Sequence, residues 1–195
     1  FMGKYLLEAN VRYDGSSMFP DGKKFGFFPS FSAGWRASEE SFFQWAKPAL
    51  SDLKIRGSWG TIGNQDVAAN TFISTMASGT SGWVVNGVNL LRLSAPTVIS
   101  SALTWEKVTT LDLGFDARLF DGAFGVTFDW YQRVTSDMHT AGVTLPSTFG
   151  ASVPKINYGE LTATGWELAL DYSHKFSNGL GLNVRGSISH VTEEI

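Results

Sequence analysis

The residues able to do chemistry are few and scattered. His139, His174 and His190 lie far apart, without the short spacings at which imidazoles share a metal ion. There is no cysteine, which removes disulfides, thiolate nucleophiles and Cys-based metal or redox sites. No G-x-S-x-G elbow, phosphate-binding loop or dinucleotide fingerprint occurs. The run from Asp14 to Gly22, DGSSMFPDG, offers carboxylate and hydroxyl oxygens suited to calcium. It lacks the regular oxygen spacing and closing bidentate Glu of a calcium loop, so an ordinary turn is the favoured reading. Asn64, Gln65 and Asp66 read as a hydrogen-bonding cluster at a loop end, structural before ligand-binding. Trp83 and Phe149 stand in Gly/Ser/Thr-rich loops, where an aromatic face can stack on a sugar or anchor its own loop. No catalytic constellation emerges, and no cofactor or metal is expected.

What the chain does carry is alternation. In GFDARLFDGAFGVTFDW, residues 114–130, Phe115, Ala117 and Leu119 alternate with Asp116 and Arg118. Beyond Asp121-Gly122, Phe124, Val126, Phe128 and Trp130 alternate with Gly125, Thr127 and Asp129. A period of two is the strand period, and Asp-Gly between two such runs signals a hairpin. One face of this hairpin is apolar and the other polar, so function turns on what each face touches.

The net charge of −3 argues against nucleic acid as a partner. No apolar run reaches the length of a membrane-spanning helix. That does not exclude a membrane, because a transmembrane β-barrel alternates polar and apolar positions. The N-terminal FMGKYLLEANVRYD reads as a strand and does not resemble a leader peptide. Both ends read as strands, as though the chain were a piece of something longer.

Seven long strands are expected, near 4–14, 26–37, 53–62, 104–118, 123–137, 162–176 and 180–192. Their apolar faces carry Tyr5, Leu7 and Val11; Phe27, Phe31 and Trp35; Leu53, Ile55 and Trp59; Trp166, Leu168, Leu170 and Tyr172; Leu182, Val184 and Ile188. Opposite them lie Glu8, Arg12, Arg36, Lys54, Arg56, Asp116, Arg118, Asp129, Arg133, Glu167, Asp171 and Arg185. This mixture of signs suits cross-strand pairs, not a one-sign ion filter. Asp121-Gly122 and Asn178-Gly179 make tight turns. Residues 38–52 read as a short amphipathic helix capped by Ser38, with Phe42, Phe43 and Trp45 on its apolar side. Links 15–25, 63–103 and 138–160 are long loops. Sequential pairing puts the short turns at one end and the long loops at the other, the layout of outer-membrane barrels.

Two readings compete. In a soluble or surface β-sandwich, such as a carbohydrate-binding module, the apolar face is a core. In a membrane barrel it meets lipid. Three features favour the barrel. The strands exceed the five or six residues usual in sandwiches. The apolar face is crowded with Phe and Trp beyond what a thin core packs. Tyr5, Tyr13, Trp35, Trp59, Trp105 and Trp130 sit near strand ends, as in interfacial aromatic girdles. On this reading Phe115, Leu119, Phe124, Val126, Phe128, Trp130, Leu168, Leu170 and Val184 face lipid. Lys107 and His174 share that face, but each lies near a strand end, within reach of the interface.

Five segments in order resemble the SusC/RagA family of TonB-dependent outer-membrane transporters: KYLLEANVRYDGSS (4–17), GFFPSFSAGWRASEESFF (26–43), LKIRGSWGTIGNQD (53–66), LTWEKVTTLDLGFDARLFDGAFGVTFDWYQRVTSDM (103–138) and GELTATGWELAL (159–170). The resemblance implies an all-β, antiparallel up-and-down meander forming part of a barrel of about 22 strands. It further implies nutrient uptake across the Gram-negative outer membrane, of glycan or peptide, with a SusD-like surface lipoprotein and energy from the TonB complex. No segment resembles the plug domain, the TonB-contacting segment or the aromatic-ended last strand. The expectation is therefore one section of barrel wall, residues 1–195, insufficient alone for transport. A passive porin is a third possibility, decided by whether a plug lies upstream.

Overall fold

The computed structural model describes residues 2–69, 71–142, 144, 146–151 and 153–195. Alternation dictates strands, and the strands form: β1 (Tyr5–Gly15), β2 (Phe25–Arg36), β3 (Leu50–Asn64), β4 (Ser78–Val85), β5 (Val88–Leu93), β6 (Glu106–Leu119), β7 (Phe124–Ala141), β8 (Lys155–Lys175) and β9 (Gly181–Glu194). Seven of them build one antiparallel sheet in the order β1-β2-β3-β6-β7-β8-β9, while β4 and β5 pair separately inside the link from β3 to β6. The sheet is an up-and-down meander and does not close. β8 begins at Lys155, well before the expected 162, and β7 runs on to Ala141, since Met138–Ala141 still pair with Lys155–Gly159; the other bounds lie within about three residues of those expected.

The short links share one end. Four residues join β6 to β7, with Phe120, Asp121 and Gly122 all at positive φ (54°, 54° and 86°). Asp121-Gly122 does turn the chain, but the ladder closes at Leu119–Phe124. Phe120 is diverted because its N–H donates to the carbonyl of Ala49 in the neighbouring link, 3.0 Å away. Asn178-Gly179 turns β8 into β9, with Gly179 at φ 87° and the Asn178 side chain accepting from Leu180 N–H at 3.0 Å.

The link between β2 and β3 is not the expected helix. It holds two 3₁₀ turns, Ala37–Glu39 and Ser41–Phe43. Ser38 caps neither; it is fully buried, and its hydroxyl donates to Asp52 at 2.6 Å. Glu40 separates the turns in an extended conformation (φ −79°, ψ 149°). Its carboxylate is held by Tyr5 Oη at 2.7 Å, Lys4 Nζ at 3.2 Å and Trp35 Nε1 at 3.4 Å. Tied to Lys4, to Tyr5 of β1 and to Trp35 of β2, Glu40 is held in that extended conformation, which interrupts the helix.

A single sheet has no interior, and the apolar burial gathers elsewhere. Phe19, Phe28, Leu103 and Trp105 form the buried apolar cluster at the long-loop end. Trp105 packs at 5.2 Å on Phe19 and edge-on at 5.5 Å to Phe28, and its indole N–H donates to Lys24 O at 3.1 Å. Trp105, expected in an interfacial girdle, is only 6% exposed. Phe28 explains why: it points to the charged face, out of phase with Phe27 and Phe31, and draws the loops inward over the sheet. Gly26 and Gly63 leave room for its ring, with which a Cβ at either position would collide.

Two outcomes follow. Trp105→Ala removes the centre of this cluster at a cost of about 3 kcal/mol. Hydrogen exchange at Ser16, whose N–H is held by Lys24 O, is expected to quicken accordingly, while Trp59→Ala leaves it unchanged. The hydrogen bonds from Tyr5 and then Lys4 hold the Glu40 carboxyl below its usual range. A lowered folded value gives stability that is complete above the ordinary Glu range and is lost as pH falls through the lowered value. Exchange at Arg36 N–H, bonded to Lys4 O, is expected to rise on that acidification, and Glu40→Gln to flatten the dependence.

Candidate functional site

The candidate site is the sheet's pair of faces, positioned by register. One row of directly paired residues runs across all seven strands: Tyr5, Trp35, Ile55, Phe115, Phe128, Leu168 and Ile188. Nearer the short turns come Leu53, Ala117, Val126 and Leu170, then Leu119, Phe124, Tyr172 and Val184. On the other side, Leu113, Trp130 and Trp166 form the next row. The structure thus brings Phe115, Leu119, Phe124, Val126, Phe128, Trp130, Leu168, Leu170 and Val184 together on one face. Beyond Trp130 and Trp166 the same face continues as Gln132 and Thr164, in the row that Leu111 and Trp59 complete, so large apolar groups thin out toward an amide and hydroxyls there. At the opposite margin stand Tyr5, Trp35 and Tyr172. Lys107 lies outside the band with Asp137 at 3.6 Å, and His174 stacks on Tyr172 at the short-turn margin.

The other face carries the charges, and Arg56 is its hub. Its Nη1 and Nη2 meet both oxygens of Asp129 at 2.6 and 2.7 Å, its Nε meets Asp116 at 3.2 Å, and its Nη1 lies 3.5 Å from Asp112. The guanidinium fork matches the Asp129 carboxylate, the strongest geometry available to a charged pair. Gly114 stands directly between, where any Cβ would strike the Asp129 side chain. Arg118 pairs with Asp171 at 2.5 Å, and Arg36 with Asp52 at 3.4 Å. Most of these pairs join neighbouring strands, so they fix register as they neutralise charge.

The loops hold the remaining expected residues. Trp83 projects from β4, 79% exposed; Phe149 ends a 3₁₀ turn, Ser147–Phe149, and is 51% exposed. Among the described residues no ring contact joins them. In the stretch from Asp14 to Gly22, Asp14 takes Arg12 at 2.8 Å, Asp21 takes Lys24 at 2.6 Å, and the Ser16 hydroxyl accepts from Met18 N–H at 3.1 Å, as in an ordinary turn. Asn64 donates to Glu106 at 2.8 Å, a structural tie between β3 and β6.

Two features escaped sequence reasoning. The β4–β5 hairpin turns at Asn86-Gly87 (φ 49° and 79°), a signal present in the sequence but hidden among residues apolar on both faces. At the rim, His139 is buried between Glu106, which accepts its backbone N–H at 2.8 Å, and the Thr104 carbonyl, 2.8 Å from Nε2. Asn157 bridges Thr104 and Asp137 O beside it. The bulge at Asp137 (φ 58°) that brings His139 there has no mark in the pattern.

Arg56→Ala would leave Asp112, Asp116 and Asp129 facing one another without their common cation. It is expected to destabilise the protein by about 1–3 kcal/mol, read as a lower denaturant midpoint. Asp129→Asn in that background recovers part of the loss. Glu8→Ala, which removes only a contact to Asn10, shifts the midpoint by less than about 0.5 kcal/mol.

Residues 1–194 match the family model described as TonB dependent receptor-like, beta-barrel. The chain is 33% identical over 171 residues to TonB-dependent receptor P26 of Formosa agariphila, covering 88% of this chain and 17% of that protein. It is 28% identical over 205 residues to TonB-dependent receptor SusC of Bacteroides thetaiotaomicron, covering 98% and 20%. The structure of the RagAB peptide transporter superposes with a TM-score of 0.81 at 24% identity, over all of this chain and 21% of that one, a likeness of fold. The chain thus spans about a fifth of the relatives it matches. An open sheet with an uncharged, aromatic-edged face is what one section of such a barrel wall looks like, and with residues 1–194 matching the family model the chain belongs to the TonB-dependent receptor β-barrel family.

Proposed function

We propose that this chain is a section of the wall of a TonB-dependent importer in the Gram-negative outer membrane. One observation carries the reading: seven paired strands keep a single uncharged apolar band on one face and the charges, with Arg56 and its three carboxylates at their centre, on the other. A soluble sandwich would need a second sheet over that band. The described residues supply only the β4–β5 hairpin, set in a loop. In the proposed arrangement Phe115, Leu119, Phe124, Val126, Phe128, Trp130, Leu168, Leu170 and Val184 face lipid, and the Arg56 face lines a lumen shared with a plug.

The cargo in this reading is a glycan or a peptide. Support comes from the likeness to SusC and to the RagAB peptide transporter. The same likeness supports a surface lipoprotein partner and coupling to TonB, through parts of the protein beyond these residues. Trp83 and Phe149 are the candidates for ligand contact in the loops. Membership of a TonB-dependent family favours active import over a passive porin.

The test is the size and location of the native polypeptide. An antibody raised against residues 63–103 is used to probe outer-membrane and soluble fractions of the source cell. The expected result is a band several times larger than 21.2 kDa in the outer membrane. A soluble band at 21.2 kDa would overturn the reading and make the apolar face an ordinary core.

A further inference from the structure

The three links at the long-loop end converge on two residues, Thr104 and Trp105, immediately before β6. From one side comes the arm formed by β7 and β8 beyond the bulge at Asp137, where His139 pairs with Asn157. A carboxamide carries the same donor and acceptor as a peptide group, and Asn157 uses its own in that way. Its Oδ1 accepts the Thr104 N–H at 3.0 Å, and its Nδ2 donates to Thr104 O at 2.9 Å and to Asp137 O at 2.7 Å. A carbonyl can only accept, so His139 Nε2 carries a proton and donates to the same Thr104 O, 2.8 Å away. Thr104 lies outside every strand, and both polar groups of its backbone are held by side chains of this arm.

From the other side comes the link between β1 and β2. Phe19 is fully buried against Trp105, with ring centroids 5.2 Å apart, and lies 6.4 Å from the His139 ring. Trp105 Nε1 donates to Lys24 O at 3.1 Å. That carbonyl also accepts the Ser16 N–H at 2.9 Å, which closes the link on itself. The link from β3 to β6 enters between the two. It is pinned near both ends, by Val67 and by Leu103, which pack in the same cluster, while its β4–β5 hairpin pairs separately. A link that left this node would uncover the apolar side chains of the others or strand the Thr104 backbone groups, and either carries a cost.

We propose that the three long links open and close as one body, latched by Asn157 and His139 around Thr104, and do not move as independent loops. Contacts shared three ways make local opening cooperative. The consequence is a coupled mouth: a ligand that orders one link lowers the cost of ordering the other two. The inference goes beyond the importer reading and stands on the loop contacts alone, whatever the outer face of the sheet meets.

The test is hydrogen exchange on the full-length protein, resolved to single amides. Asn157→Asp keeps the acceptor for Thr104 N–H but sets a carboxylate oxygen against the Thr104 and Asp137 carbonyls. Among the described residues Asn157 makes no hydrogen bond to the β1–β2 link. The expected result is exchange about tenfold faster at Thr104 and, by the same factor, at Ser16 across the node. Ser94 N–H, bonded to Ala77 O beside the hairpin, keeps its wild-type rate, as do the central-sheet amides of Ile55 and Phe115. Faster exchange at Thr104 with Ser16 unchanged overturns the proposal, because the links then open separately. Equal acceleration at Ile55 and Phe115 overturns it too, since the mouth then has no opening of its own. Phe19→Ala runs the measurement from the opposite side. Gly142 N–H, bonded to Pro154 O at 3.2 Å on the arm, is expected to quicken by the factor seen at Ser16. An unchanged Gly142 overturns the coupling even where Asn157→Asp fails to assemble.

Discussion

Register is the constraint on which everything else here depends. Side chains alternate from strand to strand face, so a slip of one residue at any pairing would move a whole apolar row to the charged side. Across the sheet no such slip occurs: Tyr5 meets Trp35, Trp35 meets Ile55, Ile55 meets Phe115, and the row continues through Phe128 and Leu168 to Ile188. Irregularities are confined to the margins, at Leu50/Asp52 near the short turns and between Thr135 and His139 near the long loops. Between those margins the ladders are unbroken, so the apolar band is continuous and the five inner strands are paired on both sides. A wall bordered by hydrocarbon must meet that second condition, because no water is available there to satisfy a stray amide.

Hydrophobic patterning excludes a slip of one residue but not of two, which keeps every apolar row on its own face. The charged face makes the choice. Arg56 on β3 reaches Asp112 and Asp116 on β6 and Asp129 on β7, so one side chain measures the offset of three strands at once. Arg118 and Asp171 repeat the arrangement between β6 and β8, over the small Gly125 of β7. These groups are part-exposed, and isolated pairs of that kind contribute little stability. Their value lies in discrimination, because a slip of two residues would separate Arg56 from Asp116 and Asp129, and Arg118 from Asp171.

Much of this was legible in the sequence, for a physical reason. The two faces follow from period-two alternation, which is local, and so Phe115, Leu119, Phe124, Val126, Phe128 and Trp130 could be assigned to one face from residues 114–130 alone. Meander order followed from short links alternating with long ones. What stayed hidden was non-local. Nothing near Arg56 in sequence marks Asp116 and Asp129, 60 and 73 residues away, as its partners. Ser38 looked like a helix cap because its captor, Asp52, lies 14 residues further on. Trp105 sits at a strand end, as a girdle residue would, and only the out-of-phase Phe28 hints that it turns inward. In the β4–β5 hairpin the signal was local but masked, since Val84, Val85 and Leu91 make both sides apolar and erase the alternation.

The two ends of the sheet solve opposite problems. At the short-turn end the chain must reverse quickly beside the apolar band. There Glu40 gathers Tyr5, Lys4 and Trp35, and Phe42 extends the aromatic margin outward. At the long-loop end the chain leaves the sheet for stretches that have no strand neighbours to order them. Here the order comes from within: Phe19, Phe28, Leu103 and Trp105 pack on the charged side, and His139, Glu106, Thr104 and Asn157 join the rim beneath them. The long-loop end thus has a small core of its own, drawn from the β1–β2 link, β2 and the approach to β6. The same sequence therefore builds a register-locked sheet in the middle, an aromatic margin at its short-turn end, and loops folded over the charged face at the other.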